Sequence, residues 1–188
     1  MFEKGFPLYL DKKVRKVIDL IEEKSHCCSD EKCTAEREKY TLCGSTISFP
    51  ERIYFIEGQS VCGELNDTEE ALIYHCIFTR SYDGYVRERH IKEILACDYP
   101  IWCMPYILKL SSEYVLNIVE DIYNELKQKD TSAFQSFCLE NSDTVKLFYS
   151  RMASYWNEYY RAEFPCFGDY AGYKLYHEYF GCDRTGNI

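Results

Sequence analysis

Asp83 to Leu95 reads DGYVRERHIKEIL: a polar turn, a helix start and then an apolar stripe. Counted from Val86, the offsets 0, 4, 5, 8 and 9 fall on Val86, His90, Ile91, Ile94 and Leu95, the spacing that lines one face of an α-helix. The same offsets return on Tyr114, Ile118, Val119, Ile122 and Tyr123, and again on Thr144, Phe148, Tyr149, Met152 and Ala153, after 28 and then 30 residues. A shorter apolar segment precedes each copy: Ala71 to Phe78, Ile101 to Leu110, and Ala133 to Leu139. One helix pair cannot bury its apolar face alone, so recurrence at this period predicts helix pairs stacked side by side as a short right-handed α-solenoid.

Working outward, three pairs are expected: 68–79 with 83–96, 101–110 with 112–128, and 131–140 with 142–160. Their linking turns, RSYD, KLSS and ENSD, are short enough to force antiparallel packing. Asn66, Asp67 and Thr68 followed by Glu69 and Glu70 read as the start of the first helix, its acidic first turn facing the positive end of the helix dipole. Pro105 falls inside the first helix of the second pair and should shorten or kink it.

Upstream, Leu10, Val14, Val17, Ile18 and Ile21 predict an amphipathic helix over 11–25, and the charged stretch Asp30 to Leu42 reads as a second, short helix closed by Gly44. The β-branched and aromatic residues at about 45–65, broken by Pro50, Gly58 and Gly63, predict a small hairpin or an irregular strap. Downstream, the dense aromatics from Tyr155 to Phe180 predict a C-terminal capping helix, Ala171 to Phe180, ended by Gly181. The expectation is one all-α domain: an N-terminal helix and strap over 1–66, repeats over 67–160, and a cap over 161–188.

The hydrophobic set is 46 % and charged residues 28 %, ordinary for a folded chain. Net charge is −9; residues 51–100 hold five basic and ten acidic side chains, while residues 1–50 balance at nine each. Nucleic acid is therefore an unfavourable partner, since phosphate binding rests on Lys and Arg replacing counterions. Only Arg80, Arg87, Arg89 and Lys92 cluster, with Glu88 and Glu93 between them, which fits a solvated helix face. The opening MFEKGFPLYLDKK has no long apolar stretch and nowhere do 18 apolar residues run together, so a cytoplasmic protein with no membrane partner is expected. Eleven cysteines scattered among apolar residues read as free thiols in such a compartment.

Asp83, Val86 and Arg87 open the second helix of the first pair in a way that resembles the HEAT-repeat family; Val115 and Val145 stand where the later pairs would carry Arg. The resemblance covers about residues 68–157 and implies an α-solenoid with a binding surface. It also implies a second reading, because DNA glycosylases that resemble this family cradle DNA on such a fold; Trp102 and Asp121 would then be the residues aimed into the groove.

Among candidate sites, Arg80, Tyr82, Asp83, Tyr85 and Arg87 gather at one interhelical turn, where Asp83 is expected to cap the helix and Arg87 to reach the next repeat's turn. Tyr and Arg are also the residues most enriched at binding hot spots, so the same group is the candidate binding surface. His26, Cys28, Cys33 and Cys43 supply the four donors of a structural zinc site; the competing reading is that they are incidental in a cysteine-rich chain. Cys27 adjoins Cys28, and the two cannot easily ligate together. His75, His90 and His177 read as packed histidines. No catalytic motif and no further cofactor is indicated. The resulting expectation is a non-enzymatic protein-interaction module with a basic protein or peptide partner, the alternatives being the nucleic-acid reading and a small acidic inhibitor or immunity-type protein.

Overall fold

A computed structural model describes Phe2, residues 4–58, 61–65 and 67–188, the side chain of Cys62 excepted. Asn66 of the expected helix start, and Gln59 and Ser60 of the expected strap, lie outside the described residues. Eight α-helices and four short β-strands are present among the described residues, and they group into two compact units, Met1–Tyr40 with Gly44–Cys103, and Thr41–Cys43 with Met104–Ile188. The expectation of an all-α chain is thus corrected: the protein is mostly helical with two small two-stranded antiparallel sheets.

In the first unit, α1 (Asp11–Lys24) buries Val14, Val17 and Ile21 and packs on α2 (Thr68–Phe78). Asp67 caps α2 by accepting from the Glu70 amide at 2.9 Å, as its position before Glu69 and Glu70 predicts. Leu72, Ile73, Tyr74, Cys76, Ile77 and Phe78 are all buried, so α2 is apolar nearly all round. A helix of that kind must be covered on more than one side. Here α1 covers one side and α3 (Gly84–Leu95) another, with Lys13 and Lys16 of α1 paired to Asp67, Glu69 and Glu70 at the rim.

No helix spans Asp30 to Leu42. Strand β1 (His26–Cys27) pairs with β4 (Phe55–Ile56), and β2 (Arg37–Leu42) pairs with β3 (Ser45–Pro50). Tyr40 and Leu42 point inward with Thr41 between them, a period of two that the charged Arg37, Glu38 and Lys39 obscure in the sequence. Cys43 and Gly44 join the strands with φ of 51° and 75°. Positive φ at both central residues is the mark of a type I′ turn, whose twist matches that of the strands. Gly44 therefore closes a hairpin, and the expected irregular segment at 45–65 supplies its second strand.

In the second unit, α4 (Met104–Leu110) is short, buried at every residue, and carries Pro105 in its first turn, where the missing amide proton costs no helical bond. Then follow α5 (Leu116–Leu126), α6 (Ser132–Glu140), α7 (Ser142–Tyr155), a single π-helical turn over Trp156–Tyr160, and α8 (Ala171–Glu178). The helix packed most closely on α5 is α8, which also meets α7. Tyr176 makes an edge contact with Tyr149 and exchanges a hydrogen bond of 2.8 Å with Ser111, while Phe180 stacks on Phe134. A side chain at Gly172 would collide with Tyr170 and Met152, so glycine sets how closely α8 approaches α7. Of the expected inward positions, His90, Ile91, Ile94, Leu95, Ile118, Val119, Ile122, Phe148, Tyr149 and Met152 are buried, whereas Val86, Tyr123, Thr144 and Ala153 are only partly covered. Tyr114 differs and is half exposed, because α5 begins at Leu116, after it. No helix among the described residues is long and apolar enough to cross a membrane.

Candidate functional site

The five residues of the α2–α3 turn separate by burial. Arg80 and Arg87 are fully buried, Asp83 is partly covered, and Tyr82 and Tyr85 are exposed. Nε and Nη2 of Arg80 donate to the Glu51 carbonyl at 3.3 and 3.2 Å, and Ile53 exchanges backbone hydrogen bonds with Arg80 and Tyr82. Nη1 of Arg87 donates to the Ser81 and Tyr82 carbonyls at 3.0 and 3.1 Å, within the turn that precedes its own helix. Asp83 caps α3 through the Tyr85 amide at 2.9 Å, as expected. Arg80 and the Ile53 backbone bonds thus fasten the strap to the turn, Arg87 braces the turn from within, and the two tyrosines are presented outward.

His26 and Cys28 lie at the β1 end of the strap, Cys33 bridges to Ile53, and Cys43 sits in the hairpin turn and belongs with the second unit. The Cys28 thiol donates to the Tyr54 carbonyl at 3.1 Å, and its hydrogen bond to Tyr82 raises the pKa of that phenol. Among the described residues, no three His, Cys, Asp or Glu side chains converge with metal-binding geometry.

A network in the first unit escapes sequence reasoning. Nδ1 of His75 and Nδ1 of His90 share a hydrogen bond of 2.8 Å. Nε2 of His90 lies 3.0 Å from Glu57 Oε1, Tyr74 donates its hydroxyl to the same carboxylate at 2.7 Å, and Arg89 pairs with the other oxygen. Burial opposes ionisation of Glu57, but the contacts with His90 and Tyr74 and the charges of His90 and Arg89 outweigh it, bringing its pKa down to about 2. Burial, aided by His90, lowers His75 to about 4 against the opposing pull of Glu57. One Nδ1 must donate and the other accept, so a single proton lies along the contact. Of these residues only His90 is legible in the sequence, as an inward offset of α3; His75 on α2 and Glu57 from the strap carry no such signal.

The second unit holds a cleft of about 190 Å³ between α5 and α8, lined by Glu120, Tyr123, Asn124, Phe164, Asp169, Ala171 and Lys174. Burial and the nearby Glu163 and Asp121 raise the pKa of Glu120. Tyr160 holds the α5 end of this region: its hydroxyl accepts from the Leu116 amide at 3.2 Å and donates to the Tyr114 carbonyl, capping a helix that has no side-chain cap at Val115. Aromatic rings continue from there, the exposed Tyr114 against the half-buried Tyr155 and Tyr155 against the exposed Tyr159 of the π-helical turn.

Fold and sites define a mostly helical protein with a buried histidine network and an acidic, aromatic cleft. No family model, no curated protein and no solved structure matches the chain.

Proposed function

We propose that this chain is a non-enzymatic interaction module that holds a basic protein or peptide in the cytoplasm. The observation that carries the reading is how the charges are used. Of the basic cluster, Arg80 and Arg87 are buried against carbonyls, Arg89 is paired with Glu57, and Lys92 with Glu88. Exposed tyrosines at 82, 85, 114 and 159 stand on a chain whose net charge is −9. Such a surface repels phosphate and attracts cations, and tyrosine contributes contact area at small entropic cost. Trp102, one of the two residues of the nucleic-acid reading, is 1 % exposed, which also favours the protein-binding reading. Three successive helix hairpins, α2–α3, α4–α5 and α6–α7, support a HEAT-like stack, a right-handed α-solenoid in its simplest form, as the scaffold.

The test is a titration with basic, neutral and acidic peptides of equal length at 50 mM salt and again at 500 mM. Basic peptides are expected to bind at low salt and to weaken by about tenfold or more at high salt. Equal binding of all three classes, or no binding of the basic one, would remove the reading.

A further inference from the structure

We infer that the cleft between α5 and α8 receives a single cationic side chain, an arginine guanidinium or lysine ammonium of the basic partner. The inference rests on the binding reading above and locates where the partner is gripped. At about 190 Å³ the cleft falls short of the roughly 300–1,000 Å³ of sites that enclose whole small molecules. With about 30 Å³ per water, it has room for the head of one long side chain. Its walls combine the rings of Tyr123 and Phe164 with the carboxylates of Glu120 and Asp169. Among the described residues, neither carboxylate accepts a hydrogen bond or forms an ion pair.

Beside them, the hydroxyl of the fully buried Tyr170 has no hydrogen-bond partner among the described residues. It lies close enough to Glu120 for that charge to add to burial and to Tyr160 in raising its pKa. Glu163 and Asp121 crowd Glu120 further, and a bound cation relieves that repulsion. Aromatic faces add attraction for a weakly hydrated organic cation, whereas a metal ion demands a fuller shell of oxygen ligands. Lys174 also lines the cleft and forms no ion pair among the described residues, so it is the built-in competitor for the same carboxylates.

The probes are acetylated tetra-arginine and tetra-lysine peptides, with tetra-citrulline as the uncharged control, titrated calorimetrically into the full chain at 50 mM salt. E120Q combined with D169N is expected to weaken binding by about tenfold. N124W, at an exposed wall position, should weaken it by filling the cleft, and K174Q should strengthen it by about threefold. E31Q, on an exposed residue of the first unit, should leave it unchanged. Whichever peptide binds more tightly identifies the preferred cation. Wild-type binding that none of the cleft substitutions alters would overturn the cleft while leaving the interaction reading in place. Failure of both cationic peptides to bind the wild-type chain, or equal binding of tetra-citrulline, would overturn both. K174Q and N124W change side chains at the solvent margin, so the test stands even if the double variant unfolds.

Discussion

His75 is where one side chain's surroundings reach the behaviour of the chain. Its pKa falls from an ordinary 6.5 to about 4 because burial and His90 penalise the cation. Between those values the unfolded chain binds a proton that the folded one refuses. Stability from the neutral ring is therefore complete above pH 6.5 and is lost as pH falls toward 4. The unfolding free energy of the wild type in urea should decline across that window by about 1–2 kcal/mol, and H75Q should flatten the decline. Parallel pH profiles for the two proteins would mean that the imidazole contact is not formed. The contribution of Glu57 is lost lower, between its ordinary 4.5 and about 2. Asn141 makes a second residue-scale case. It is buried, accepts from the Thr41 amide at 2.8 Å, and donates to the Thr41 and Phe137 carbonyls at 2.8 Å each. N141A strands three backbone groups at once and should cost about 2–4 kcal/mol in urea unfolding.

Elements differ in how openly they show themselves. Helices α1, α3, α5 and α7 are legible because one face of each is apolar at helical spacing, and α2 because Asp67 and its acidic first turn mark the start. The β2–β3 hairpin was hidden, since Arg37, Glu38 and Lys39 mask the inward alternation of Tyr40 and Leu42, and a Cys-Gly turn is not among the usual hairpin pairs. That turn carries its own prediction. Cys43 holds φ of 51°, a region asparagine tolerates better than most side chains, and the hydrogen bond its backbone amide donates to the Glu140 carboxylate at 3.2 Å does not need the thiol. C43N should stabilise the chain by about 0.5–1 kcal/mol, seen as a melting temperature a few degrees higher; a fall would mean the turn is not of type I′.

For the molecule as a whole, the ten cysteines with described side chains are free, and they divide by burial. Cys27, Cys28, Cys43 and Cys166 are exposed, whereas Cys76, Cys103, Cys138 and Cys182 are buried. Burial raises the pKa of Cys76 and Cys138, and brings Cys182 to about 12. Only thiolates react readily, so a thiol reagent on the native protein should show a fast phase containing the four exposed thiols and a slow phase that waits on unfolding. A single fast phase for all thiols would contradict the packing of both units. Reducing agent should leave the melting temperature unchanged.

What the sequence determined by itself was local and periodic: the helical stripes, the Asp67 and Asp83 caps, the shortening of α4 at Pro105, the excess of negative charge. Each follows from residues within a few positions of one another, where 3.6-residue spacing and unsatisfied amide groups leave few choices. Only the tertiary structure decided that Arg80 holds the strap, that Glu57 meets His90 while His90 meets His75, and that α8 lies on α5 to form the acidic cleft. Those pairings join residues far apart in the chain, and hydrophobic burial, which drives them, is non-directional. It demands that apolar faces be covered without naming what covers them.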